Sequence, residues 1–311
     1  MNAQATLRDG NRERNRRRRK MRIKNDLVAY SFILPNFLGF AVFTLVPLVF
    51  AMALSFFNWN GANVIQFNGL DNFRKLFTTD STFQISLLNT IIFTLGTVPL
   101  TMFFALVLAI LLNGGLRGTK VFRAIFFFPY VASIVAVGAV WNMIFSPKLG
   151  PLNQFLISVG IHNPPGWLSS THWALFTVIL ISVWKGMGYN MVLYLAGLQG
   201  IPRELYEAAT VDGANGWQKF KHITWPLLTP TTFFVSIMLV VSSFKVFDLI
   251  SIVTQGGPGR ATNVLVYYIY DLAFQQSRYG YANAVAMVLF AIVLVITLFQ
   301  FKAEEKFVDY L

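Results

Sequence analysis

Six apolar stretches divide the chain, near residues 27–57, 83–113, 122–146, 173–199, 228–254 and 281–301. Each is long enough for the roughly 20 residues that carry a helix across the hydrocarbon core of a bilayer. Pro35, Pro47, Pro99 and Pro129 fall inside them. Proline is tolerated in a membrane helix where neighbours or water satisfy the freed carbonyl, and kinked helices leave room for a central cavity. Simple packing variation explains any one of these prolines equally well.

A polar island separates the fourth and fifth stretches. It contains Glu207-Ala208-Ala209-Thr210-Val211-Asp212-Gly213 and, ten residues later, Ile223-Thr224-Trp225-Pro226. Charges and unpaired backbone groups are costly in hydrocarbon, so this island must lie outside the bilayer. Pro202 followed by Arg203-Glu204-Leu205-Tyr206 predicts a helix start, with acids near the positive end of the dipole. Leu205, Ala208 and Ala209 then form one small, apolar face. Gly213 can take a positive φ and end the helix. Asn58-Trp59-Asn60-Gly61, Pro164-Pro165-Gly166-Trp167 and Gly256-Gly257-Pro258-Gly259 read as turns on the opposite side, their tryptophans suited to the membrane interface.

Composition supports a polytopic helical membrane protein. The 311 residues are 55% hydrophobic and 12% charged, with mean hydropathy +0.57. A soluble chain carries about 25% charged residues. There is no cysteine, so disulfides, thiolate metal sites and cysteine nucleophiles are excluded.

The net charge of +12 raises the question of nucleic acid, but its distribution argues for lipid. Arg8, Arg12, Arg14, Arg16, Arg17, Arg18, Arg19, Lys20, Arg22 and Lys24 all precede the first apolar stretch, opposed by Asp9, Glu13 and Asp26. A basic run directly before a span is a topogenic, lipid-facing signal, and its poverty in apolar residues predicts a disordered cytoplasmic tail over 1–26. A signal peptide fits less well, although Ala51-Met52-Ala53 resembles a cleavage site. The apolar run to Phe50 exceeds the roughly 7–15 residues of a signal core.

With the N-terminus inside, the basic tail, Arg117, Lys120, Arg123, Arg203, Lys219, Lys221, Lys302 and Lys306 are cytoplasmic. Arg74, Lys75, Lys148, Arg260 and Arg278 lie outside. This obeys the positive-inside rule and puts the Glu207 island in the cytoplasm. Residues 302–311, with Glu304, Glu305 and Asp309, read as a short solvated cytoplasmic tail. The expected fold class is therefore all-α, six transmembrane helices over 27–301 with both termini cytoplasmic.

No catalytic set emerges. His162, His172 and His222 fall on predicted loops without metal-ligand spacing. Neither a phosphate-cradling Gly-x-x-x-x-Gly-Lys loop nor a Gly-x-Ser-x-Gly elbow is present. Phe126-Phe127-Phe128 reads as lipid or helix contact.

The island resembles the cytoplasmic coupling loop of ABC importer permeases, with Glu-Ala-Ala, three residues, Gly, nine residues, then Ile-x-x-Pro. Trp225 stands where that family usually has Leu. A second run, Thr254-Gln255-Gly256-Gly257-Pro258-Gly259 before Tyr267-Tyr268-Ile269-Tyr270, with Gly280-Tyr281-Ala282-Asn283 after it, is similar to the external loop and short helix of the first permease of carbohydrate importers of the maltose, glycerol-phosphate and lactose type. The chain lacks room for the extra helices and external domain of the larger maltose type. The resemblance implies the compact six-helix fold of type I importers and a bacterial inner-membrane location. It assigns coupling to the 200–227 loop, through Glu204, Glu207, Ala208, Ala209, Asp212, Gly213, Ile223 and Pro226. It implies no cofactor on this chain, with ATP and Mg on a partner. Its partners would be a second homologous permease, two ATPase subunits, an extracytoplasmic solute-binding protein, a sugar and membrane lipid, but no nucleic acid.

The same resemblance suggests a substrate path. Alignment from the coupling loop points to Lys185, Gly186 and Tyr189, with Asn190 beside them. Alignment from Gly256-Gly257-Pro258 points to Leu239, Ser242, Ser243 and Val246. Aromatic faces and amides suit a sugar's C–H face and hydroxyls. Three readings of Lys185 stay open: it snorkels, pairs with another subunit, or meets an anionic saccharide. Lys245 and Asp248, three apart, read as a self-neutralising pair on the fifth helix. The alternatives from other classes are a standalone channel or secondary transporter, which predicts internal repeats not seen here, and a membrane enzyme, for which no nucleophile or acid–base pair is found.

Overall fold

The computed structural model describes residues 21, 26–62, 64–115 and 117–307, with side chains to residue 304. The expectations for the basic tail, apart from Met21 and Asp26, and for Asp309 lie outside the described residues.

The chain divides into two units, residues 1–54 and 55–311. The first unit contains one span, α1 (Asp26–Leu54), with almost every side chain exposed. A π-helical turn, Ala41–Leu45, interrupts it immediately before Pro47. Proline has no N–H to donate, so the ladder must be re-registered there, and a π turn does this without breaking the helix.

The second unit opens with a short antiparallel hairpin, β1 (Phe57–Asn58) and β2 (Gln66–Phe67). Then come α2 (Asp71–Thr78), α3 (Ser81–Asn113), α4 (Thr119–Val131), α5 (Ile134–Ile144), α6 (Pro151–Ser158) and α7 (Ala174–Gln199). Next are α8 (Arg203–Val211), α9 (Gly216–Leu227, with a π turn at Phe220–Thr224) and α10 (Thr229–Phe244). The last elements are α11 (Asp248–Val253), α12 (Leu265–Tyr270) and α13 (Tyr279–Phe307). Four helices, α1, α3, α7 and α13, are each long and apolar enough to cross a bilayer, and two bent pairs raise the total to as many as six.

Helices α3 and α7 form the spine, with α4 and α10 packed on them. Lipid is as apolar as leucine, so close packing rather than hydrophobicity must hold such helices together. Ala105 and Ala109 of α3 are fully buried against Met191, Tyr194 and Leu195 of α7. Gly188 of α7 faces the main chain of α4, and any Cβ there would collide with the Phe126 carbonyl.

Two of the six predicted spans are broken. The 122–146 stretch bends by 96° between α4 and α5, where Ala132 and Ser133 are extended at ψ 142° and 129°. The 228–254 stretch stops at Phe244, and α10 meets α9 at 62°. Lys245, Val246 and Phe247 interrupt it, so Lys245 and Asp248 do not share a helix face and no ion pair joins them. Instead Lys245 ends α10 and Asp248 begins α11. Each charge has the sign that its own helix end favours, which a count of residue spacing does not reveal. His222, expected on a loop, lies in the π turn of α9, its Nδ1 3.0 Å from the Gln218 carbonyl oxygen.

Candidate functional sites: a cavity within the helices and an exposed helical loop

A cavity of about 240 Å³ opens among α3, α4, α7 and α10. It gathers seven of the eight residues expected along the substrate path: Gly186, Tyr189 and Asn190 of α7, with Leu239, Ser242, Ser243 and Val246 from α10 and its exit. Tyr130 stacks on Tyr189 with ring centroids 4.6 Å apart and planes 16° from parallel. Asn190 Nδ2 donates to the Gly186 carbonyl at 2.9 Å, fixing its amide. Ser243 Oγ donates to the Val240 carbonyl at 2.9 Å and lies 3.1 Å from Thr94 Oγ1.

Sequence reasoning missed the wall supplied by α3. Thr97 and Thr101 line the cavity, both buried, and neither hydroxyl has a partner. A buried hydroxyl without a bond costs about 1–3 kcal/mol, so these two are polar groups held in reserve beside the cavity wall. Their i, i+4 spacing on one face was the available signal, hidden because threonine is common in apolar stretches.

Lys185 occupies a different place. It lines an adjoining cavity of about 350 Å³ that also holds Lys245 and Asp248. Its Nζ donates to the carbonyls of Pro129 at 3.0 Å, Tyr130 at 3.0 Å and Ala132 at 3.1 Å. An ammonium has three donors, and all three are taken. The carbonyls belong to the last turn of α4 and the bend beyond it, groups that a helix end leaves without partners. Lys185 therefore caps the negative end of α4 and stabilises the 96° bend.

The second site is the α8–α9 loop. Pro202 is the N-cap of α8, and Glu204 follows within its first turn. Asp212 closes the helix, and Gly213 takes φ +76°, while Ala214 N–H bonds the Ala209 carbonyl at 2.8 Å. Asn215 and Gln218 then form a reciprocal capping box at 2.9 and 2.8 Å that starts α9. Lys219 Nζ reaches Thr210 Oγ1 at 2.8 Å, and Tyr206 and Thr224 hydroxyls meet at 2.9 Å, so the two short helices brace one another.

Tyr206, Ile223 and Leu227 anchor this unit to the core formed by α3, α7 and α10. Glu204, Glu207, Ala208, Asp212 and Gly213 are exposed, Ala209 is partly so, and the Pro226 carbonyl caps the turn into α10 by accepting from Thr229 Oγ1 at 2.6 Å. Leu205, Val211 and Trp217 are exposed apolar side chains beside them, Val211 at 88%. Val211 and Trp217 were not singled out from sequence, because a single apolar residue in a polar segment carries no periodic signal.

The far end of α3 carries a third polar cluster. Tyr268 and Tyr281 hydroxyls donate to Asp80 Oδ2 at 2.6 and 2.7 Å, and Phe83 N–H donates to Oδ1 at 2.9 Å. Burial raises the Asp80 pKa, but bonds from Tyr268, Phe83, Tyr281 and the Thr82 amide outweigh it and leave the carboxyl below its ordinary value. Burial and the Asp80 charge push the Tyr268 hydroxyl up, keeping it a donor.

A membrane helical bundle with an internal cavity lined by aromatic and hydroxyl side chains and an exposed helical loop has the architecture of a transport permease. The sequence matches the family described as "Binding-protein-dependent transport system inner membrane component" over residues 101–304, and the chain belongs to that family. It is 39% identical over 290 residues to the "Probable ABC transporter permease protein YesP" of Bacillus subtilis, covering 92% of this chain and 93% of that one. It is 35% identical to the "Lactose transport system permease protein LacF" of Rhizobium radiobacter, covering 90% and 95%. Its fold matches a chain of a bacterial ABC transporter involved in the import of the acidic polysaccharide alginate, with TM-score 0.82, 26% identity and coverage of 94% and 100%.

Proposed function

We propose that this chain is a permease subunit of an ATP-driven importer that takes a sugar or oligosaccharide from an extracytoplasmic binding protein across a bacterial cytoplasmic membrane. The observation that carries this reading is the joint lining of one cavity by Tyr130, Tyr189, Asn190, Ser242 and Ser243 together with the unpartnered hydroxyls of Thr97 and Thr101. Stacked aromatic faces and convergent hydroxyls suit a polyol and offer little to a bare ion. The lactose system of one relative and the alginate system of the structural neighbour support the substrate class.

The α8–α9 loop is the coupling element in this reading. A separate ATPase, holding ATP and Mg, grips the exposed face of Leu205, Ala208 and Val211, with Glu204, Glu207 and Asp212 at its rim. The loop is cytoplasmic, both termini are on its side, and a second, homologous permease and two ATPase subunits complete the assembly. The second neighbouring structure, an alginate transporter in complex with an alginate pentasaccharide-bound periplasmic protein, supports a binding protein as the delivering partner. An acidic saccharide is the second reading, favoured by that neighbour and by Lys245 in the adjoining cavity.

The test is purification of the chain from membranes with its co-purifying subunits, followed by ATPase measurement with the binding protein and a panel of neutral and acidic oligosaccharides. Stimulation by one saccharide class is expected. A chain that purifies alone and transports without ATP would overturn the proposal in favour of a channel or secondary transporter.

A further inference from the structure

A cavity of about 970 Å³ lies where α3 and α7 end, walled by Leu112 and Asn113 of α3 and by Leu198 and Gln199 of α7. Lys120, Arg123 and Arg203 line it, and among the described residues no acidic side chain does. Arg123 Nε is buried without a hydrogen-bond partner. Three cations without an acid repel one another, and a buried guanidinium N–H left unbonded is costly. A bound anion relieves the repulsion among the three cations, and a guanidinium is shaped for phosphate oxygens.

Part of the remaining wall carries no side chain. Gly114, Gly115 and Gly118 present no side chains, and Gly115 and Gly118 adopt φ +75° and +83°. Helix α4 begins at Thr119, so the positive end of its dipole adds to the same field. On α4 beside these cations, Val121, Phe122 and Ile125 are exposed apolar side chains. Cations at the level where spans end, next to exposed apolar surface, match the two parts of an acidic phospholipid: phosphate in the cavity, acyl chains along α4.

We propose that this cavity is a binding site for the headgroup of an acidic phospholipid. The site abuts Arg203 and Tyr206 at the start of the α8–α9 loop, so an occupied cavity braces the loop where it leaves α7. The proposal goes beyond transport of a saccharide and rests on the reading above only in calling this end cytoplasmic.

The experiment is native mass spectrometry of the purified, delipidated full chain titrated with phosphatidylglycerol, phosphatidylcholine or inorganic phosphate. The wild type should retain one phosphatidylglycerol with at least about tenfold preference over phosphatidylcholine. The triple variant Lys120→Gln, Arg123→Gln, Arg203→Gln should lose that preference. A Lys219→Gln, Lys221→Gln variant, which removes two cations of α9 outside the cavity, should keep it. Arg123→Lys, which retains charge and fold, should show an intermediate loss. Equal retention by the triple variant, equal binding of phosphatidylcholine, or displacement of the lipid by millimolar phosphate would each overturn the proposal. The readout needs no transport, so it stands or fails separately from the importer assignment.

Discussion

The two ends of α3 are built on opposite plans. At the Ser81 end, side chains of α3 bond to partners far away in sequence. Asn89 Nδ2 holds the carbonyls of Arg260 and Asn263 at 2.9 and 3.0 Å, Thr90 Oγ1 accepts from Leu265 N–H at 2.9 Å, and Asp80 gathers Tyr268 and Tyr281. At the Asn113 end, the α8–α9 loop satisfies its polar groups almost entirely within itself and meets the core through Tyr206, Ile223 and Leu227. With 33 residues, α3 separates the two ends by about 50 Å. One end is stitched into a platform, and the other is a self-contained lever that leaves its apolar face free. The proposed importer uses this division, with cargo arriving at one end and the ATPase acting on the other.

The largest expected effect breaks the lever. Gly213 sits at φ +76° with open space where a Cβ would go, so Gly213→Val introduces backbone strain of about 1–3 kcal/mol without a clash. The strain reorients α9 against α8. Uptake should fall by more than about tenfold while membrane insertion, measured by fractionation, is unchanged. Normal uptake would remove the coupling role.

Next in size is the bend in the α4–α5 pair. Lys185→Met leaves the carbonyls of Pro129, Tyr130 and Ala132 without their donor, at a cost of about 1–3 kcal/mol for each group that water does not reach. The variant should melt at lower temperature and lose transport of neutral and acidic saccharides alike. Lys185→Arg should recover part of both. A loss confined to acidic saccharides would instead give Lys185 a part in recognising substrate charge.

These two cases mark where the sequence is legible. The α8–α9 loop could be read because its signals are local: a glycine that must take positive φ, a polar run between apolar ones, and fixed offsets. The cavity wall could be read on α7 and α10, from alignment, and not on α3, whose threonines are unexceptional until α7 closes over them. The bend at Ala132 and the helix break at Lys245 were invisible to hydropathy, since an apolar stretch reads the same whether its helix is straight or broken. What breaks the α4–α5 pair is tertiary, because the cation that caps α4 arrives from α7.

A smaller effect is expected at the platform. The Asp80 carboxyl has a folded pKa below its ordinary 3.8, so the stability it contributes is present above that value and is lost as pH falls through the folded pKa. Thermal melts of the wild type should therefore decline on acidification below the ordinary carboxylate range. Asp80→Asn should melt lower at neutral pH, because the two tyrosine hydroxyls lose a charged acceptor, and its melting temperature should change less over the acid range. Equal acid sensitivity in both proteins would remove Asp80 from the platform.

The smallest expected effect sharpens the picture of the space between the two ends. Thr97→Val replaces a buried, unpartnered hydroxyl by a methyl group of the same shape, so folding should be unaffected or slightly favoured. If the hydroxyl serves cargo, the saccharide concentration needed for half-maximal ATPase stimulation should rise by about three- to tenfold, the worth of one hydrogen bond. Thr97→Ser, which keeps the hydroxyl, should restore it. A rise in melting temperature with no change in saccharide dependence would mean that Thr97 only lines the cavity, and recognition would then rest on the aromatic and serine walls of α4, α7 and α10.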